Sequence, residues 1–463
     1  MSITPQSGCC GITRRGFLVG AAAGLAAGVP LTWLGLRGVD RLRGRTAFTG
    51  RTREVEKPAF GMPGRFPGRV VEVRHPSAVD ARHRIDRSAV NLMVDRGMTA
   101  LTGADDPRDA WRSFFQPGDV VGIKVNPVGR KPIAKDNGGR VPGAVGSISS
   151  PELVLKVVEE LKNAGIPGRD IVVFERYAEE FVDAGYADLM RERIMDGVRW
   201  HASAAAYDER QVDIAGFDRG RANYSPELAR HVVGYDPDVF VSMGFAAPAH
   251  DPRDDRSFRT HQSLIVTRMV SKIITLPVLK DHRSAGVTLS LKNLSHGMNN
   301  NVARSHLPGF HHGGVARGGH PPLPAGPNQC NTFIPTAVNQ EPLRRKAVLH
   351  ILDGLIGVYE GGPGCWNRSW ATWRHQGLFF ATDPVALDHV GWDVIDAKRL
   401  AEGWPSVAHM GLLHELPPDK QMGRASEVFD RRQPEHVILA GTLGLGRFAA
   451  DQIEHRLISL AKS

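Results

Sequence analysis

Short apolar runs alternate with amphipathic stretches along most of the chain, a rhythm that predicts a layered α/β domain. Arg69–Arg74 reads as a strand, residues 86–101 as a helix and residues 119–125 as a compact apolar strand. Ser149-Ser150-Pro151-Glu152 predicts a helix start, with Ser149 and Glu152 at capping-box spacing. The following helix places Leu153, Val154, Val157, Val158 and Leu161 on one face, and Gly165 stops it. Further strands are predicted at residues 170–174, 238–241, 272–275, 348–352 and 437–439. A run at 378–380 leads into Thr382-Asp383-Pro384 and a helix holding Asp388. The runs are apolar throughout, as strands covered on both faces are. The expected fold is α/β: a mostly parallel sheet flanked by helices on both faces. One stretch breaks the rhythm. From Gly297 to Asn331 the chain is crowded with Gly, Pro, Asn and His, which predicts a long irregular insertion.

At the N-terminus, Thr13-Arg14-Arg15-Gly16-Phe17-Leu18 opens an apolar run that continues to Leu36. This resembles a twin-arginine export signal, with Val19 where a lysine is often found. Residues 1–45 read as signal or membrane anchor, 46–68 as an Arg/Gly/Pro-rich linker, and 69–463 as one large α/β domain. Ala47-Phe48-Thr49 is the candidate cleavage site, and an uncleaved run is long enough to span a bilayer. The expected location is the periplasm or the outer face of the cytoplasmic membrane. The translocation machinery is then a partner, and so is the membrane if the segment is retained. Twin-arginine substrates cross the membrane folded, often with a cofactor already in place.

Charge and cysteines exclude several classes. The net charge is +9, but residues 1–45 hold six arginines against one aspartate, leaving +4 for the rest. That surplus is too mild for nucleic-acid binding, and no basic run is interleaved with aromatics. Cys330 and Cys365 are the cysteines outside the leader and could form one disulfide. They are too few for a built-in iron–sulfur cluster, and no CxxC pair suggests a thioredoxin-like activity. The segment Gly441-Thr442-Leu443-Gly444-Leu445-Gly446 lacks the glycine spacing of a dinucleotide loop.

Ligands of parallel α/β sheets sit beyond the carboxyl ends of the strands. The residues there are Asn126 after the 119–125 run, Lys280-Asp281-His282-Arg283 after 272–275, Asp353 after 348–352, and Asp383 after 378–380. Residues 287–296 suit a helix better than a strand, because alternation fails after Lys292. On a helix Lys292 and His296 face one way, and a lysine among leucines is partly desolvated, which lowers its pKa. The expected catalytic groups are Lys280, His282 and Lys292, with His282 as acid or base near neutral pH. Arg283, Asn293, Asn126, Asp353 and Asp383 are the expected ligand-binding residues. Histidine also clusters at 282, 296, 306, 311, 312 and 320, without a zinc signature such as HExxH. His296, His311 and His312 are the candidate metal ligands. Two functions fit: an exported enzyme acting on an anionic small molecule, with or without a metal ion or bound cofactor, or a non-catalytic metal- or ligand-binding accessory protein of the cell envelope.

Six segments in order carry a family resemblance: Ile123-Lys124-Val125-Asn126; Ser149-Ser150-Pro151-Glu152; Leu276-Pro277-Val278-Leu279-Lys280-Asp281-His282; Leu291-Lys292-Asn293-Leu294; Ile351-Leu352-Asp353-Gly354 with Gly361-Gly362-Pro363-Gly364; and Asp383-Pro384-Val385-Ala386-Leu387-Asp388. Over roughly residues 119–400 the chain resembles the bacterial and archaeal family known as domain of unknown function 362. The resemblance names no reaction. Many such relatives carry a ferredoxin-like module, whose cysteines are missing here.

Overall fold

Neighbouring residues of the strands feed two different hydrophobic cores, one on each face of a single large sheet. Val71, Val73, Ile171, Val173 and Phe380 enter the first core; Val70, Val172, Phe174 and Phe379 enter the second. This is the period-two alternation of a strand whose two faces are both covered. A computed structural model describes residues 61–130, 144–208, 211–217, 226–244, 251, 253–306, 329–367, 369–407, 410–412, 429–431 and 434–461. The expected export signal and most of the expected linker lie outside them. Among the described residues no helix is long and apolar enough to cross a membrane.

The strands are β1 (Arg69–Arg74), β2 (Val121–Lys124), β3 (Ile171–Tyr177), β4 (Arg199–Ala204), β5 (Tyr235–Ser242), β6 (Arg259–Ser263), β7 (Lys272–Thr275), β8 (Val278–His282), β9 (Gly286–Val287), β10 (Ala347–Glu360), β11 (Ala371–Trp373), β12 (Gly377–Ala381), β13 (Met410–Leu412), β14 (Phe429–Arg431) and β15 (Glu454–Ser459). The main sheet runs β15-β1-β12-β10-β7-β2-β3-β4, with β8, β9 and β11 appended around β10. Along that order β12 alone runs against its neighbours. The longer helices are α1 (Arg87–Thr102), α2 (Pro151–Asn163), α3 (Leu289–Ser295), α4 (Cys330–Val338), α5 (Pro384–Ala401) and α6 (Glu435–Thr442). The first core is closed by α1 and α2, the second by α3 to α6. The expected α/β sheet with helices on both faces is therefore observed.

Several local expectations are corrected. The run at 437–439 lies in α6, where His436, Val437 and Ala440 form the buried side; three apolar residues are too few to reveal a period. The run at 238–241 belongs to β5, which pairs with β6 in a separate antiparallel ribbon and is largely exposed, not covered on both faces. Ser149 makes no capping box. The N-cap is Ser150, without a side-chain cap bond. Ser149 Oγ instead donates to Leu276 O and accepts from the Asn126 N–H, latching the carboxyl ends of β7 and β2 together. The stretch expected to be an irregular insertion is packed at both of its described ends. Residues 297–305 are packed and buried, Cys330 already begins α4, and residues 307–328 lie outside the described residues.

Candidate functional site

Strand β8 leaves the carboxyl end of β7 and alternates its side chains. Lys280 and His282 lie two residues apart and so share a side of the strand, while Asp281 belongs to the other. The Asp281 carboxylate accepts from the Gly362 N–H and lies 3.9 Å from the buried Arg399 guanidinium. A side chain at 362 is excluded, since its Cβ would stand 2.6 Å from Asp281 Oδ1. Arg283 is drawn the same way, donating to Ser369 Oγ and facing Glu360 at 3.7 Å.

Lys280 is wholly buried, and its ammonium donates to Val128 O. Asn126 holds that acceptor in place, because its Oδ1 takes the Val128 N–H at 3.1 Å and folds the loop after β2. Burial, reinforced by the Lys292 charge, brings the Lys280 pKa down to about 7.

Helix α3 supplies Lys292. Seven residues are a marginal helix alone, and a carboxylate from α5 stabilises its start: Asp388 accepts from the N–H groups of Ser290 and Leu291. Lys292 is buried, and its ammonium has no hydrogen bond or ion pair with any described residue. Desolvation lowers its pKa to about 8. Asn293 faces a different partner. Its Oδ1 accepts from Lys124 Nζ at 3.2 Å, and that ammonium also pairs with the buried Glu175. Gly297 lets Lys124 pass, since a Cβ there would lie 2.7 Å from Lys124 Nζ.

Imidazoles complete the cluster. His282 and His306 have ring centroids 5.6 Å apart, and His306 and His296 5.3 Å apart. Nδ1 of His282 accepts two backbone N–H groups, from Ser284 at 3.0 Å and Ala285 at 3.2 Å. Its proton must therefore sit on Nε2, which has no partner among the described residues. Burial and the neighbouring lysines hold His282 well below the ordinary histidine range. His282 is thus a neutral donor. The acid-or-base role expected of it does not suit this tautomer, because an imidazolium would turn an Nδ1 proton against two amide protons.

Three further residues, none of them among the expected site residues, join the cluster. Cys330 opens α4, and its Sγ donates to Ser305 O. His306 follows the turn at 303–305. His436, on α6, is fully buried with neither ring nitrogen bonded among the described residues, and burial pulls it to about 3. Asp353 and Asp383, expected to add two carboxylates from the strand ends, do not join. Asp353 accepts from Ser150 N and Oγ and from Leu355 N. Asp383 is the N-cap of α5 and accepts from the N–H groups of Gly68, Val385, Ala386 and Arg447. Because β12 runs antiparallel, its carboxyl end points toward the amino ends of its neighbours, which takes Asp383 away from the lysines. His311 and His312 lie outside the described residues. Cys330 and Cys365 do not pair with each other; both are buried thiols, and Cys365 Sγ donates to Gly129 O.

The result is a buried cluster rich in cations and imidazoles, with no carboxylate bonded to Lys292 or His282 among the described residues. No curated protein matches the chain. Residues 255–393, from the start of the segment leading into β6 through the middle of α5, match the family model described as Domain of unknown function (DUF362), a narrower span than the resemblance at 119–400 suggested. Lys280, His282, Lys292, His296, His306 and Cys330 all fall inside that segment, and it is this segment that belongs to the domain-of-unknown-function 362 family.

Proposed function

We propose that the chain is an exported enzyme that binds an anionic small molecule at Lys280, Lys292 and His282. The observation that carries this reading is the Lys292 ammonium, buried and unpaired among the described residues, beside a second buried lysine and a neutral histidine that can only donate. Isolated buried charges are costly, and an anion would offset that cost. In the reaction, His282 Nε2–H stabilises negative charge developing on a substrate oxygen, as neutral histidines do in enolising enzymes. A lysine whose pKa lies near 7 or 8 exchanges a proton with the substrate close to neutral pH. The class is therefore proton transfer on an anionic substrate that passes through an oxyanion. Export rests on the Arg14-Arg15 motif and its apolar run.

Purification of the full chain from its native host, followed by mass spectrometry of the released small molecules, tests the reading. A stoichiometric organic anion, lost from Lys292→Met, is expected. A folded chain that carries no organic anion and whose thermal unfolding is unmoved by phosphates or carboxylates would contradict it. Binding with no turnover of any bound anion would favour the accessory-protein function.

A further inference from the structure

We propose that His296, His306 and Cys330 form a site for a single zinc-class divalent metal ion, with a fourth position left for water or substrate. One ligand atom from each lies within 4.8 Å of the other two. A point central to such a triangle is at most about 2.8 Å from each corner, against roughly 2.0–2.3 Å for zinc bonds to nitrogen and sulfur, so small side-chain adjustments close the site. The donor set, two imidazoles and a thiol, is one that selects zinc-like ions and in catalytic sites keeps an open position.

The surrounding hydrogen bonds prepare the lone pairs. Ser295 Oγ donates to Lys292 O at 3.3 Å, so toward His296 Nδ1, at 3.0 Å, it can only accept. That puts the His296 proton on Nδ1 and a lone pair on Nε2. His306 Nδ1 lies 3.3 Å from Ala303 O, a pure acceptor, which puts its lone pair on Nε2 as well. Outer acceptors that fix the tautomer in this way are the usual companions of metal-bound histidine. Protons are scarce where the lone pairs meet. Ser305 Oγ has one proton, yet it faces Val302 O at 2.7 Å, His296 Nε2 at 2.8 Å and Cys330 Sγ at 3.7 Å. A cation resolves that excess of acceptors. The Lys292 charge opposes a cation nearby, and the Cys330 thiolate formed on binding offsets it. The site does not depend on the anion reading, because it shares no residue with Lys280, Lys292 or His282.

Cobalt(II) titration of the full chain, followed by optical absorption, tests the site. One equivalent of cobalt per chain and a thiolate-to-cobalt charge-transfer band are expected. Cys330→Ser abolishes the band. His306→Ala, at a half-buried position, weakens binding by more than the ~10–100-fold that loss of an outer partner costs, and Ser295→Ala weakens it within that range. Replacing Cys9, Cys10 and Cys365 together by serine leaves the band in place. Circular dichroism of each metal-free variant checks folding, and His306→Ala carries the test if Cys330→Ser unfolds. A missing band in the parent chain, or one that survives Cys330→Ser, overturns the proposal. Lys292→Met that loses anions and still binds cobalt separates this site from the anion site.

Discussion

Asp388 Oδ1 accepts a hydrogen bond of 2.7 Å from the backbone N–H of Ser290, and through it the long helix α5 holds the short helix that carries Lys292. The second oxygen takes the Leu291 N–H at 2.9 Å, so both acceptors are committed. Asp388→Asn turns an N–H₂ group toward one of these donors. The variant is expected to lose about 1–3 kcal/mol of stability in denaturant unfolding, and to bind anions more weakly because α3 loosens. Unchanged stability would mean that α3 is held by its apolar contacts alone.

Lys292→Met is expected to stabilise the fold while removing anion binding. The substitution keeps the volume of a buried stem and deletes a desolvated charge with no partner among the described residues. A gain of about 1–3 kcal/mol near pH 7 is expected by denaturant titration. A loss of stability would place a structural partner on Lys292.

Anion affinity is expected to fall as pH rises through about 7 to 8. Lys280 faces Lys292, Cys365, Asp281 and Glu180, and its pKa of about 7 lies below the ordinary 10.5; Lys292 faces Cys330 and Arg176 and sits at about 8. Their cationic forms hold the ligand, so binding above pH 7 takes up protons. Calorimetry in two buffers of different ionisation enthalpy measures that uptake. The sign for folding is opposite: between about 7 and 10.5 the unfolded chain holds the Lys280 proton that the folded chain has released, so this contribution to stability rises with pH and is lost as pH falls through about 7.

Much of the architecture was legible because strand periods are short and local. Arg69–Arg74 and Lys272–Thr275 have the boundaries expected of them. The site was legible only in part. Lys280, His282, Lys292 and His296 lie in two adjacent segments, and sequence proximity brings them together. Cys330 and His436 are brought in by the packing of α3, α4 and α6, for which one sequence holds no signal, whereas His306 stands within the histidine-rich stretch and is placed by the turn at 303–305. Asp383 carries a signal of its own: aspartate followed by proline before an apolar helix is an N-cap with proline at the first helical position, and both are observed. The reversed direction of β12, which decides where Asp383 points, is not encoded in the hydrophobic pattern of five buried residues.

Replacing Arg14 and Arg15 by lysine is expected to keep the chain in the cytoplasm. The twin-arginine route reads the pair itself, so a change that preserves charge removes the signal. Fractionation followed by immunoblotting measures it, and unchanged export would exclude that route.

An anion site built around Lys292 is the core of the proposed activity. Its most direct measurement is isothermal titration, at pH 6.5, of the full chain and of Lys292→Met with inorganic phosphate and a series of small mono- and dicarboxylates. Saturable binding of at least one of these anions by the parent chain, with binding lost in a variant that remains folded, is the result expected. An absence of binding across the series, or equal binding by both proteins, would contradict it.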